Sequence, residues 1–295
     1  MTELPPVANR KKIKTLEVMV AQVVQETPDT VTLLLFTGND RLEYKPGHFL
    51  TIDPHQFEAL ARFTSYLEDV KGRKEPARAY SLTSAPHEQH IAITVKEEQY
   101  VSGSTQYPPL LSPLLVKTLQ QGSRMQITGF TGPYTLGDDV EKCTDHLVHV
   151  VAGSGAVPNF SILKHALHHG LKLRHTFICS NRTQADILFR RELEELERAH
   201  PTQLKVIHTL TRESDRGVFG SNIRRGRLSV ELLKELIPEP DTCLVYACGP
   251  AIGPWEKAKA KSTGTVPAPR FLESALEHLT ALGVSSSRIH RESYG

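Results

Sequence analysis

Two hydrophobic patterns divide the chain. Up to about residue 143, apolar positions come in short runs broken by turn residues; beyond it, near-continuous apolar runs alternate with amphipathic stretches. In the first part, Leu16 to Val24 and Thr30 to Phe36 are rich in Val, Leu and Thr around Pro28-Asp29, which predicts an antiparallel hairpin. A turn at Tyr44-Lys45-Pro46-Gly47 leads into a strand through Ile52. His55 to Glu75 has helical spacing at Phe57, Leu60, Ala61 and Phe63, and predicts a helix-and-loop insertion. Ile91 to Val95 and Met125 to Thr128 read as further strands. Ser112 before Pro113 predicts an N-cap and a short helix to about Leu119, ended by Gly122. Many short strands and one late helix point to a small antiparallel barrel.

The second part reads differently. His146 to Ala152 is apolar nearly throughout, as in a parallel strand buried on both faces. Helical patterns at Asn159 to His169, Ala185 to Ala199, Ser229 to Leu236 and Phe271 to Leu282 alternate with strand patterns at Leu173 to Ser180, Leu204 to Leu210, Thr242 to Cys248 and Arg288 to Tyr294. That alternation predicts a parallel sheet with helices on both faces. The expected architecture is therefore two domains: an antiparallel β-barrel over residues 1–143, then an α/β parallel-sheet domain over residues 144–295.

Composition narrows the classes. A net charge of +2 makes no case for nucleic acid or a membrane surface as partner. No apolar run is long enough to span a bilayer, and Met1 to Pro6 lacks a signal-peptide core, so a cytoplasmic location is expected. Cys143, Cys179, Cys243 and Cys248 have neither zinc nor iron–sulfur spacing, so free thiols and no metal are expected.

Candidate chemistry gathers in four places. Pro76 to Pro86 carries Arg78, Tyr80 and Leu82 on one face of a strand, with Ala77, Ala79 and Ser81 on the other. A guanidinium fork suits a phosphate and a phenol suits a ring with a polar edge, though an ordinary edge strand has the same composition. The helix opened by Ser112 offers free N–H groups to an anion, or is simply capped. Gly153-Ser154-Gly155, between the first buried strand and a helix, is either a tight turn or a cradle for a pyrophosphate. Ser180 and Arg182, past the second strand, suit a ribose 2′-phosphate better than a free hydroxyl. Arg190 and Arg191 lean the same way or form a solvated helix face.

Together these motifs resemble the ferredoxin–NADP reductase superfamily, from about Leu16 to Gly295. Arg78-x-Tyr80-Ser81 is similar to its flavin motif, and Gly129-x-x-Gly132-x-Tyr134 to the segment that closes the flavin domain. Gly153-Ser154-Gly155-x-x-Pro158 resembles the nicotinamide pyrophosphate loop, Cys248-Gly249-Pro250 the segment beside the nicotinamide, and Glu292-x-Tyr294 the C-terminal acid–aromatic pair. The reductase components of bacterial oxygenases and the reductase domain of flavohaemoglobins look most alike. Three features depart from the pattern. Leu110 stands where glycine is usual, the segment from Ile252 to Arg270 is long and basic, and Gly295 follows the aromatic.

The resemblance implies bound FAD rather than FMN; Ser180 and Arg182 favour NADPH over NADH, and, as a further departure from the pattern, no iron–sulfur domain is expected at either end. The resemblance also implies that Arg78 and Ala79 hold flavin phosphate, that Tyr80 packs on the ring, and that Ser81 meets its N5 edge. Thr94, Val95, Lys96, Leu111 and Ser112 complete the flavin set. Gly153, Ser154, Gly155, Pro158, Ser180, Arg182, Arg190, Cys248, Gly249 and Pro250 receive the nicotinamide nucleotide. Ser81, Cys248, Glu292 and Tyr294 line the reacting centre, with Cys248 a polarizable wall and Tyr294 a cover that moves. The implied activity is electron transfer from NAD(P)H through flavin to an acidic redox protein, a ferredoxin or an oxygenase component. Arg224, Arg225, Arg227 and the lysines from Lys257 to Lys261 are either its dock or solubilising charge. The alternatives are a free-standing reductase of a quinone or free flavin, and a flavin-binding subunit without turnover.

Overall fold

The computed structural model describes residues 14–38, 43–101 and 105–294. The Met1 to Pro6 stretch and Gly295 lie outside them. The first region contains β1 (Lys14–Thr27), β2 (Thr30–Phe36), β3 (Phe49–Ile52), α1 (Ala61–Lys71), β4 (Arg78–Ser81), β5 (Ile91–Lys96), α2 (Ser112–Lys117) and β6 (Arg124–Thr131). Its six strands pair antiparallel in the order β4-β3-β6-β1-β2-β5. A bridge between Leu82 and Ile93 joins the two outer strands and closes the sheet. Val18, Leu33, Leu50, Ile93 and Ile127 fill the interior. The hairpin turns at Pro28-Asp29 as the sequence predicts, with Thr27 paired to Thr30.

The second region contains α3 (Val140–Cys143), β7 (His146–Ala152), α4 (Ala156–His168), β8 (Arg174–Asn181), α5 (Arg190–Ala199), β9 (Leu204–Leu210) and β10 (Ile223–Arg225). It continues with α6 (Val230–Leu236), β11 (Leu244–Pro250), α7 (Pro254–Thr263), α8 (Phe271–Leu282) and β12 (Ile289–Tyr294). The strands are parallel, in the order β10-β9-β8-β7-β11-β12. Alternation assigns the two faces. Leu147, Val151, Phe177, Tyr246 and Cys248 enter one core, while Val148, Val150, Ile178, Val245 and Ala247 enter the other. Burial on both sides is why these strands read as unbroken apolar runs.

Several expected boundaries move. Helix α4 begins at Ala156, not Asn159, because a single 3₁₀ turn at Gly153–Gly155 feeds directly into it. Helix α5 begins at Arg190, not Ala185: Phe189 takes a left-handed backbone with φ 54° and stacks its ring on Phe160 at 4.4 Å. Ser112 is not the N-cap of α2. Leu111 holds that position without a side-chain bond, and Ser112 is the first helical residue. The helix stops at Lys117, before Gly122. Strand β10 and helices α3 and α7 carry too little periodicity to be read beforehand. Among the described residues, no helix is long and apolar enough to cross a membrane.

The two regions are joined by side chains as well as by the linker. Ser161 on α4 donates to the Ser84 carbonyl at 2.7 Å, and Lys164 pairs with Glu88 at 2.5 Å. Tyr134, which is buried, accepts from the Asn159 amide at 2.9 Å.

Candidate functional site at the domain junction

The strand order reverses between β7 and β11, which flank each other with β8 on one side and β12 on the other. Ligands of open parallel sheets bind past the carboxyl ends of strands at such a point. Two of the quoted motifs lie there. Gly153 sits at φ 52° with open space around it. Gly155 is packed so closely on β11 that a Cβ would strike the Cys248 carbonyl and lie 2.8 Å from the Gly249 nitrogen. Gly249 is tight too: a Cβ would come within 2.6 Å of the Phe271 ring. Backbone contact fixes this loop, and the 3₁₀ turn leaves its first amides unpaired within the helix it opens. Pro158 is buried inside the first turn of α4.

β12 lies in register beside β11, so Glu292 neighbours Cys248 and Tyr294 neighbours Pro250. Ser81, at the end of β4, turns away from the barrel interior and donates to Glu292 Oε2 at 3.4 Å. The two residues are 211 positions apart in sequence and come from different regions. Burial raises the Glu292 carboxyl to about 7, with the Ser81 bond working against it. Cys248 is fully buried, and burial, reinforced by Glu292, pushes its thiol well above the usual range. It is therefore a protonated wall, since a thiolate would be needed for nucleophilic attack. The Tyr294 hydroxyl is buried beside the Ser81 hydroxyl, with Cys248 and Glu292 also close. This buried polar cluster of Ser81, Cys248, Glu292 and Tyr294 fits a ligand with a polar ring edge.

The end of the barrel where a phosphate is expected is built from side chains already engaged. Arg78 Nη2 contacts Glu75 at 2.6 Å, and Arg78 Nη1 donates to the Pro76 carbonyl at 2.7 Å. Glu75 also receives Lys71 at 2.5 Å. One face of the Arg78 fork is thus held in place. The guanidinium stays partly exposed, with N–H groups to spare for a phosphate. Tyr80 is half-buried and packs on the barrel core, and burial, then the Glu98 charge, raises its hydroxyl. Ala79 is exposed between them. Ser112 Oγ accepts from the Glu98 amide at 3.1 Å and lies 3.5 Å from the Glu98 carboxylate. At six residues, and with an acid beside it, α2 is a poor anion site by itself.

The remaining expected flavin residues face elsewhere with their side chains. Thr94 joins a hydroxyl chain, 2.7 Å from both Thr83 and Thr32, that ends on Glu26. Val95 and Leu111 are in the barrel core, and Lys96 pairs with Asp29 at 2.9 Å. On the nucleotide side, Ser180 Oγ meets Thr209 Oγ1 at 2.5 Å, and exposed Arg182 accepts through its carbonyl from the Arg212 amide at 2.7 Å. Ser154 is half-exposed beside them. Arg190 is held by Glu194 at 3.0 Å and Gln184 at 3.1 Å.

Three partners escaped the sequence reading. Glu75 and Glu98 are carboxylates brought in from neighbouring turns. Arg212 could have been found by applying the Arg182 logic to the next strand, since both follow a strand's carboxyl end. The basic segment from Ile252 to Arg270 folds back through Arg270 and Glu256, 2.7 Å apart, and Arg224 pairs with Glu235 at 2.7 Å.

Comparison with known proteins agrees with this geometry. Residues 150–252 match the family model described as an oxidoreductase NAD-binding domain. The ferredoxin reductase component of 3-ketosteroid-9-alpha-monooxygenase from Mycobacterium tuberculosis (strain CDC 1551 / Oshkosh) is 30% identical over 292 residues. The chain is similar to such a reductase component over nearly its whole length. That match covers 94% of this chain and 64% of the relative. Human NADH-cytochrome b5 reductase 2 is 32% identical over 130 residues, covering 41% of this chain and 46% of the relative. The chain thus spans less than two thirds of the length of the curated relatives it matches. The flavohem-like FAD/NAD binding domain of nitric oxide dioxygenase from Vibrio cholerae O1 biovar El Tor superposes with a TM-score of 0.69. It is 21% identical, over 95% of this chain and 98% of that one. The two-domain reductase fold expected from the sequence is the fold observed.

Proposed function

We propose that the chain is an NAD(P)H-dependent flavoprotein reductase that passes electrons to a separate redox protein, a ferredoxin or the iron–sulfur centre of an oxygenase. The observation that carries this reading is the meeting of Ser81 and Glu292 across the domain junction, beside Cys248 and the buried Tyr294 hydroxyl. The reductase component named for the mycobacterial relative supports the choice of acceptor class. A bound flavin supplies two-electron acceptance from a nicotinamide and one-electron release to the acceptor.

The chain's own residues bind, orient and hold protons. Gly153, Ser154 and Gly155 present backbone N–H groups to a pyrophosphate, and Pro158, which has no N–H to offer, shapes the first turn of α4 behind them. Arg78 and the Ala79 backbone grip flavin phosphate, with Glu75 fixing the angle of the guanidinium. Tyr80 packs on the ring system, and Ser81 offers its hydroxyl to the ring's reactive edge. Glu292, with its carboxyl near neutrality, takes or returns a proton through Ser81. Cys248 and Pro250 wall the nicotinamide position, and Tyr294 covers it until the nicotinamide enters. FAD is favoured over FMN by the likeness to the Vibrio domain, although Ser112 beside Glu98 gives the pyrophosphate little help. NADPH is favoured by Ser180 and by Arg182 with Arg212 next to it.

The test is purification, an absorbance spectrum, and anaerobic stopped-flow mixing with NADPH and with NADH. A flavin band bleached by a nicotinamide is expected, with cytochrome c reduction only when a ferredoxin is added. A colourless protein sinks the reading. Turnover with a quinone or free flavin, and none through a ferredoxin, replaces the acceptor. A flavin that no nicotinamide bleaches would make it a binding subunit.

A further inference from the structure

We propose that His87, His165 and His169 form a site for one divalent transition-metal ion, of the zinc, cobalt or nickel class, that ties the barrel to the parallel-sheet region. Each histidine offers a ring nitrogen, and the three ligand atoms lie within 4.8 Å of one another. His165 and His169 are four residues apart at the carboxyl end of α4, so they share one face. This is the spacing by which paired histidines on a helix hold zinc. His87 comes from the loop between β4 and β5, across the junction. No residue of the cluster belongs to the cofactor site.

The surroundings prepare these rings as ligands. His169 Nδ1 is 2.9 Å from the His165 carbonyl. A carbonyl can only accept, so that nitrogen carries the proton and Nε2 keeps a lone pair, the arrangement common among metal-bound histidines. His165 Nδ1 is buried and has no hydrogen-bond partner. The His168 ring stacks on His87 at 3.7 Å with 4° between planes, which holds the orientation of the ligand from the barrel. Nearby Glu88 is occupied by Lys164 and does not compete for the ion. A tetrahedral ion with metal–nitrogen bonds of about 2.0–2.1 Å sets its ligands roughly 3.4 Å apart. The ligand atoms, within 4.8 Å of one another, lie on rings that are exposed or half-exposed and must draw in to that spacing when the ion binds. An all-imidazole set selects zinc-like ions over magnesium or calcium and leaves a fourth position for water.

The test uses the full chain without an affinity tag, stripped with a chelator and titrated with Co²⁺ and Zn²⁺ by calorimetry, visible absorbance and thermal melting. One equivalent of Co²⁺ is expected to bind with the intense bands of a low-symmetry four-coordinate ion, and Zn²⁺ to displace it and raise the melting temperature. His87→Gln, His165→Gln and His169→Gln should each weaken binding at least tenfold. His168→Gln should retain the site, and His200→Gln should leave affinity unchanged. His87 and His169 are exposed, so metal-free melting of their variants verifies folding directly. Wild-type protein without a stoichiometric Co²⁺ spectrum, or a spectrum that persists in His87→Gln, overturns the proposal.

Discussion

The two halves of the proposed cofactor site are made of different materials. On the nucleotide side the geometry is backbone: Gly155 and Gly249 let β7, α4 and β11 close to distances that no Cβ would permit. On the flavin-phosphate side it is charged side chain: Arg78 leans on Glu75, and Ser112 leans on Glu98. A backbone site is fixed as soon as the chain folds. A side-chain site also depends on competing partners that arrive from other turns, so a ligand must share or displace them.

The largest break in this contrast should come from Gly155→Ala. The added methyl meets backbone atoms of Cys248 and Gly249 that cannot rotate away. A loss of about 1–3 kcal/mol or more is expected on chemical denaturation, with nicotinamide binding lost as well. Gly153→Ala meets nothing and carries only left-handed strain, about 1 kcal/mol. Equal effects would refute the backbone account of the loop.

Glu292→Gln comes next. The folded carboxyl titrates near 7, above its ordinary 4.5. Between those values the native state binds more protons than the unfolded one, so wild-type stability falls as pH rises through that window. The change is about 3 kcal/mol, and the glutamine variant should lose this slope. Urea midpoints at pH 4.5 and pH 8 measure it directly.

On the other side, Arg78→Met should weaken flavin retention about tenfold or more, as removal of one charge-assisted contact does. Tyr294→Ser should tighten nicotinamide binding by uncovering its position, read as a lower Kd in a spectral titration. The smallest effect is expected at Ser112→Ala, a few tenths of a kcal/mol, because Ser112 does not cap α2. Ser229, which does cap α6 by accepting from the Leu232 amide, should cost about 1 kcal/mol when replaced by alanine. If Ser112 proves as costly as Ser229, the flavin side has been misread.

The same contrast explains what could be read beforehand. Parallel strands buried on both faces announce themselves, so β7, β8, β9 and β11 were legible within a few residues. The glycine loop was legible because close approach demands glycine at a set position. Ser112 was not: Ser-Pro before a helix is the local signature of a cap, and Glu98, brought in by β5, took the hydroxyl instead. Phe189 looked helical by spacing, but its packing on Phe160 set the start of α5 one residue later. Glu75 was hidden because nothing in its own neighbourhood marks a residue as the anchor of an arginine three positions away.

The most direct test of the central claim, that Ser81 and Glu292 form the reacting edge, is the pH dependence of anaerobic reduction by NADPH in wild type and Glu292→Gln. The account predicts a flavin that bleaches with an inflection near pH 7 in wild type, and a slower reaction without that inflection in the variant. Identical pH profiles in the two proteins would contradict it.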